Sequence, residues 1–182
     1  MEQVEQYIAG TQAWIERAVI GLNLCPFARS VHAKRQIHYA ISAALSWQDL
    51  LEELGRELDA LLALPPQQRE TTLLIVPHLL DDFLQFNDFL RPAQKLLDRR
   101  GLEGIVQLAS FHPDYQFTGC DADDPANFSN RAPWPTLHLL REDSVARAVQ
   151  ALPRPQAIYE ANIETLRRLG PDGWAALDVG RR

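Results

Sequence analysis

The chain opens on a helical rhythm. Val4, Tyr7, Ile8, Trp14, Ile15, Ala18 and Val19 recur at helical spacing and predict a helix over 2–20, which Gly21 stops. Pro26 disfavours the helical region for Cys25, so Gly21-Leu22-Asn23-Leu24-Cys25-Pro26-Phe27 reads as a turn. The period then changes to two. Ile37, Tyr39 and Ile41 alternate with His38, Ala40 and Ser42, which predicts a strand over 36–42. Ser46 with Asp49 resembles a capping box and opens a helix to residue 64, striped by Leu50, Leu51, Leu54, Leu58, Leu61 and Leu62. Pro65-Pro66 ends it. The run 71–76 is short and continuously apolar, as in a strand buried on both faces. Asp81 or Asp82 caps a further helix to 100, with Phe83, Phe86, Leu90, Leu96 and Leu97 inward and a kink or break expected at Pro92.

Strands at 104–110 and 136–141 follow, the second pairing Leu137 and Leu139 with Thr136 and His138 on the other face. Asp143 or Ser144 caps a helix to 152, and Pro153 breaks it. Pro155 opens a last helix over 156–169, closed by Gly170-Pro171. In the tail, Trp174 and Leu177 are placed to dock. The order predicts a single α/β (or α+β) domain over 1–182 with an about four-stranded mixed sheet. Right-handed crossovers make the first three strands parallel, and the fourth is free to run either way. The strands at 36–42 and 136–141 read as edge strands. Their mixed faces suit a two-layer sheet whose second face is only partly covered.

Between strands three and four, 111–135 follows neither period. Structureless loops of more than roughly 12–15 residues are uncommon in compact domains and are usually functional or disordered. This one holds Phe111, Tyr115, Phe117, Phe128 and Trp134, which favours an ordered, packed loop.

Composition narrows the function classes. The chain has 182 residues, 46% hydrophobic and 23% charged, which suffices for a core without disulfides. Its 18 basic and 24 acidic side chains give a net charge of −6, which argues against nucleic acid or an anionic membrane as the main partner. No apolar run approaches a membrane span, the N-terminus lacks a signal-peptide layout, and Cys25 and Cys120 make no CxxC pair. A soluble, cytoplasmic protein is the expectation.

The polar residues that could form a site are concentrated at 111–141. His112 and His138, with Asp121, Asp123 and Asp124, could converge on a divalent metal if the loop folds back over the sheet. The spacing is not that of a calcium hand, because Ala126 and Ala132 stand where glycine and glutamate are needed. The same Asp and Asn residues serve equally well as turn formers. Asn127, Asn130, Arg131 and Arg141 are candidates to bind a small anionic or polar ligand. Arg29, Lys34 and Arg35 form a small basic stretch, and His32 and His78 are loop histidines without evident partners. Cys25 is a nucleophile candidate if a histidine reaches it, and otherwise a small buried hydrophobe. A carboxylate beside Cys120 makes that thiol a poor nucleophile but leaves it a candidate soft metal ligand.

Two motifs carry a resemblance. Gly21-Leu22-Asn23-Leu24-Cys25-Pro26-Phe27 is one. The other runs from Phe111-His112-Pro113 through Asp121-Ala122-Asp123-Asp124-Pro125-Ala126-Asn127 and Asn130-Arg131-Ala132-Pro133-Trp134-Pro135-Thr136-Leu137-His138-Leu139-Leu140-Arg141. In these the chain resembles a bacterial and plant family catalogued as domain of unknown function 1415. The resemblance covers most of the chain and implies an intact single-domain protein. It carries over no reaction or cofactor. It also implies that threonine is more usual at the position of Cys120, so that this thiol is not essential.

Three function classes are consistent with these residues. The first is an enzyme on a small polar or anionic substrate, hydrolytic, with or without a metal's assistance, built on His112, His138 and the loop. The second is a ligand- or partner-binding module without turnover. The third is a thiol-dependent enzyme centred on Cys25.

Overall fold

A computed structural model describes residues 2–150 and 156–180. The chain begins with helix α1 (Glu2–Trp14), which continues as a π-turn (Ile15–Ile20). Tyr7, Thr11, Trp14 and Ala18 form the buried stripe, while Val4 lies outside it and is exposed. The wider π winding ends at Gly21, whose N–H reaches Glu16 O at 3.0 Å. A Cβ at Gly21 would lie 2.2 Å from Arg17 O, so the expected stop is also a steric requirement for glycine. The following turn leads into a short helix that the pattern did not reveal, α2 (Ala28–Ala33). His32, expected in a loop without a partner, sits in α2 with Nε2 3.2 Å from Glu16.

Strand β1 (Ile37–Ile41) leads to α3 (Trp47–Ala63). Ser46 caps α3 by accepting from the Asp49 N–H and donating to the Asp49 carboxylate. Leu50, Leu54, Leu58 and Leu61 are fully buried along one face, each contributing about 1.5–3 kcal/mol of apolar burial. Strand β2 (Thr71–Ile75) is buried at every position. Asp82, of the two aspartates considered, caps α4 (Phe83–Arg99). No break occurs at Pro92: α4 runs through it as one helix, with the proline half-buried and its neighbour Ala93 in the core. Strand β3 (Val106–Phe111) takes in Phe111, so the loop proper begins at His112 and includes one ordered 3₁₀ segment (Pro125–Asn130).

Strand β4 (Thr136–Arg141) passes directly into α5 (Glu142–Gln150), so neither Asp143 nor Ser144 caps that helix; both lie in its first turn. The helix end expected at 152, the break at Pro153, the helix start at Pro155, and Arg181 and Arg182 lie outside the described residues. Helix α6 (Gln156–Ala176) contains a sharp kink at Gly170, where φ is 68°. The expected end at Gly170-Pro171 is this kink, after which the chain resumes one short helical stretch that carries Trp174. No helix among the described residues is long and apolar enough to cross a membrane.

The sheet order is β1-β2-β4-β3. β1 and β2 are parallel, and β4 is antiparallel to both β2 and β3, so the first three strands share one direction. The loop leaves β3 and re-enters the sheet at the same end, which forces β4 to run backwards. β4 is therefore an interior strand and not the edge its mixed pattern suggested. The edges are β1 and β3.

Helices α3 and α4 cover one face. Their buried leucines and phenylalanines meet Leu74, Val106, Leu137 and Leu139. The other face is covered more fully than the pattern suggested. Trp14, Ile15 and Ala18 meet Leu73, Ile37, Tyr39 and Phe111 there, with Trp174, Leu177 and Val179 of the tail beside them.

Candidate functional site

The loop between β3 and β4 is held by its own polar side chains. Asn127 is fully buried. Its Oδ1 accepts from the Phe117 N–H at 3.0 Å, and its Nδ2 donates to Asp121 O at 2.8 Å. Asn130 donates to Ser110 O at 3.2 Å, and its own carbonyl accepts from the His112 N–H at 3.1 Å. Arg131 donates to Tyr115 O and Ala122 O and lies over the Phe128 ring at 5.1 Å. Burial lowers the Arg131 pKa, partly offset by Asp114. Asp124 caps the 3₁₀ segment through the Ala126 N–H and pairs with Arg167 of α6 at 2.7 Å. That Arg167 bond is the main cause of its lowered pKa. Phe128 stacks on Trp174 with ring centres 5.0 Å apart, so the tail docks as expected and fixes the loop's far side.

The two candidate histidines do not meet. His112 continues the alternation that points Val106 and Leu108 towards α4, and packs against Phe83 and Phe86 at 5.4 and 5.1 Å. It is fully buried. Nδ1 accepts from the Asp114 N–H, so Nε2 carries the proton and donates to Leu80 O at 3.0 Å. His138 lies in register with Leu73 and Ala109, on the face covered by α1. Thr71 donates its hydroxyl proton to Leu139 O, so it accepts from His138 Nε2 at 2.7 Å. Burial pushes the His138 pKa down to about 4, which keeps the ring neutral. The sheet thus separates the two rings.

Other candidates are also engaged internally. Arg141 donates to Leu61 O, Leu64 O and Arg69 O, and so caps the C-terminal turn of α3. Cys25 is a half-buried free thiol between Leu24, which packs on Phe128 and Leu166, and the start of α2. No histidine contact or hydrogen bond to its sulfur occurs among the described residues. Asp121 and Asp123 are exposed. Among the described residues no three of His, Cys, Asp and Glu are gathered where one ion could be held. His38 faces Glu57 at 3.8 Å, and Glu57 is paired with the buried Arg69. His78, expected to lack a partner, packs its ring 5.8 Å from Tyr7.

A different surface appears beside the loop. From the core pair Phe86–His112 a chain of rings runs outward: Phe83 to Tyr115 at 5.3 Å, Tyr115 to Phe117 at 5.0 Å, and Phe117 to Tyr159 at 6.5 Å. Tyr159 at its end is 56% exposed. The sequence signalled the loop aromatics but not their partners Phe83 and Tyr159, which lie on helices far away in the chain. Further along α4, an open groove of about 460 Å³ lies between that helix and the edge strand β3. Leu90, Leu108 and Ser110 floor it, with Arg91, Lys95 and Asp98 along its rim. Leu84, 71% exposed, falls on the same stripe of α4 one turn before Asp88 and two before Arg91.

The fold and this surface describe a mixed α/β protein whose long loop is an ordered part of its scaffold. The chain belongs to the family described as protein of unknown function (DUF1415), whose model matches residues 6–176. Comparison with curated proteins and with solved structures gives no match.

Proposed function

We propose that this protein is a partner-binding module that acts without turnover, through the side of the molecule formed by α4, β3 and the loop after it. The observation that carries this reading is the way the loop is built. His112, Asn127, Asn130 and Arg131 all bond to main-chain groups of the loop and its neighbours, and so hold it as a rigid platform. That platform presents Tyr115 and Phe117, braced by Phe83 on one side and Tyr159 on the other. Aromatic side chains held in place by a scaffold are the anchors that binding surfaces favour, because little side-chain freedom is lost on contact.

The test is selection from a random displayed-peptide library on the intact protein, followed by titration of recovered peptides in solution. Saturable binding that weakens about tenfold or more in Phe117→Ala, with the fold intact, is expected. A chromogenic panel of esters, amides and phosphoesters run in parallel supplies the opposing result. Turnover lost in Cys25→Ser or His138→Gln variants that fold normally would overturn the proposal.

A further inference from the structure

The outer edge of β3 has a definite hydrogen-bonding pattern. The Val76 N–H bonds to Pro135 O, so Pro135, Leu137 and Leu139 direct their main-chain groups to β2. Thr136, His138 and Leu140 then direct theirs to β3, where they meet Phe111, Ala109 and Gln107. Glu142 N to Ile105 O continues the same alternation. The main-chain groups of Val106, Leu108 and Ser110 consequently point outward, past the edge of the sheet. The two ends of that edge are closed: Val106 N–H bonds to Leu102 O, and Asn130 bonds to Ser110 O. Between these ends, the Val106 C=O, the Leu108 N–H and C=O and the Ser110 N–H have no main-chain partner among the described residues. One short strand would satisfy all four.

The groove supplies the side-chain half of such a site. Leu108 and Ser110 project into it beside Leu90, so alternate side chains of an added strand would enter there. Arg91 and Lys95 stand one turn apart on its rim, and neither makes an ion pair among the described residues. The nearby Asp98 is bonded to Gln94 at 3.0 Å. These cations belong to a chain of net charge −6. A second copy of the chain pairing β3 to β3 would bring Arg91 and Lys95 towards their own counterparts across the two-fold axis, which is repulsive.

We infer that the partner is an extended acidic segment of another protein, which adds to the sheet as a strand beside β3 and lays its side chains into the groove under α4. This rests on the partner-binding reading above. Main-chain bonds to Leu108 and Ser110 provide attachment, and Arg91 and Lys95 select carboxylates.

The experiment uses labelled peptides of about seven residues with valine or threonine at alternate positions and Glu, Gln or Lys between them, titrated by fluorescence anisotropy. The Glu series should bind about tenfold or more tightly than the Gln series, with the Lys series weakest. N-methylation of one alternate set of peptide nitrogens should abolish binding, and of the other set leave it. The double variant Arg91→Glu, Lys95→Glu should move the preference to the Lys series. Equal effects of the two N-methyl sets, no preference for Glu, or a dimer in sedimentation that Ser110→Pro dissolves would each overturn the inference. Library peptides that bind while the Glu series does not would overturn it and leave the partner-binding reading standing. Failure of both peptide sets would remove both.

Discussion

At the scale of residues, the polar groups that stand out in the sequence are mostly structural, and their chemistry is visible in how the protein responds to acid. His138 has a folded pKa near 4 against an ordinary value of 6.5. The unfolded chain therefore binds a proton that the folded chain refuses between those values. His138 contributes fully above pH 6.5, and stability is lost as pH falls towards 4, by at most about 3 kcal/mol. His138→Gln, which keeps a donor to Thr71, is expected to flatten this part of the profile. Urea midpoints at pH 7 and pH 4.5 for both proteins check it, and equal slopes would show that His138 does not titrate in that window.

Residue identity was legible at these positions but role was not. Asn127, Arg131 and Arg141 have the side chains of a ligand site and also those of caps and staples. Only the positions of the Phe117, Ala122 and Leu61 main-chain groups decide between them. The same holds for His112 and His138. They lie on opposite faces because one follows β3 and the other sits inside β4, and no spacing rule relates two strands whose pairing is unknown.

At the scale of elements, hydrophobic period and caps carried most of the information. β4 and the Ser46 start of α3 lie where the pattern puts them, because alternation and a capping serine are local signals. The π-turn, the continuity of α4 through Pro92 and the short α2 were not legible. Each depends on tertiary packing that overrides local preference. The loop is the element whose integrity can be tested directly. Asn127→Ala removes a fully buried amide and its two part-buried hydrogen bonds to the Phe117 N–H and the Asp121 C=O, at a cost of about 0.5–1.5 kcal/mol each. Urea unfolding measures that cost. Hydrogen exchange at 117–127 should rise more than elsewhere, and uniform exchange would contradict the staple role.

At the scale of the whole molecule, the fold class and strand number followed from the alternation of helices and strands, as did the common direction of β1, β2 and β3. The position of β4 did not. A mixed face suggested an edge, whereas His138 is polar on an interior strand because Thr71 satisfies it. β4 joins β2 to β3, and Leu137, fully buried, anchors it to the α3–α4 side. Leu137→Ala is expected to cost about 2–5 kcal/mol. Unfolding followed by tryptophan fluorescence and by far-ultraviolet dichroism should remain one coincident transition. Two separated transitions would mean that the α1 layer and the α3–α4 layer melt independently.

The central strand is also the last one to be made. When Phe111 leaves the ribosome, the residues of β1, β2 and β3 have all been made, but the strand that joins β2 to β3 is missing until Arg141 follows. At roughly 5–20 residues per second, translation takes about 2–6 s to supply the missing strand. Throughout that interval β2 carries a bare edge that only β4 will cover and β3 has no strand to pair with, a state that a chaperone shielding unpaired strands would recognise.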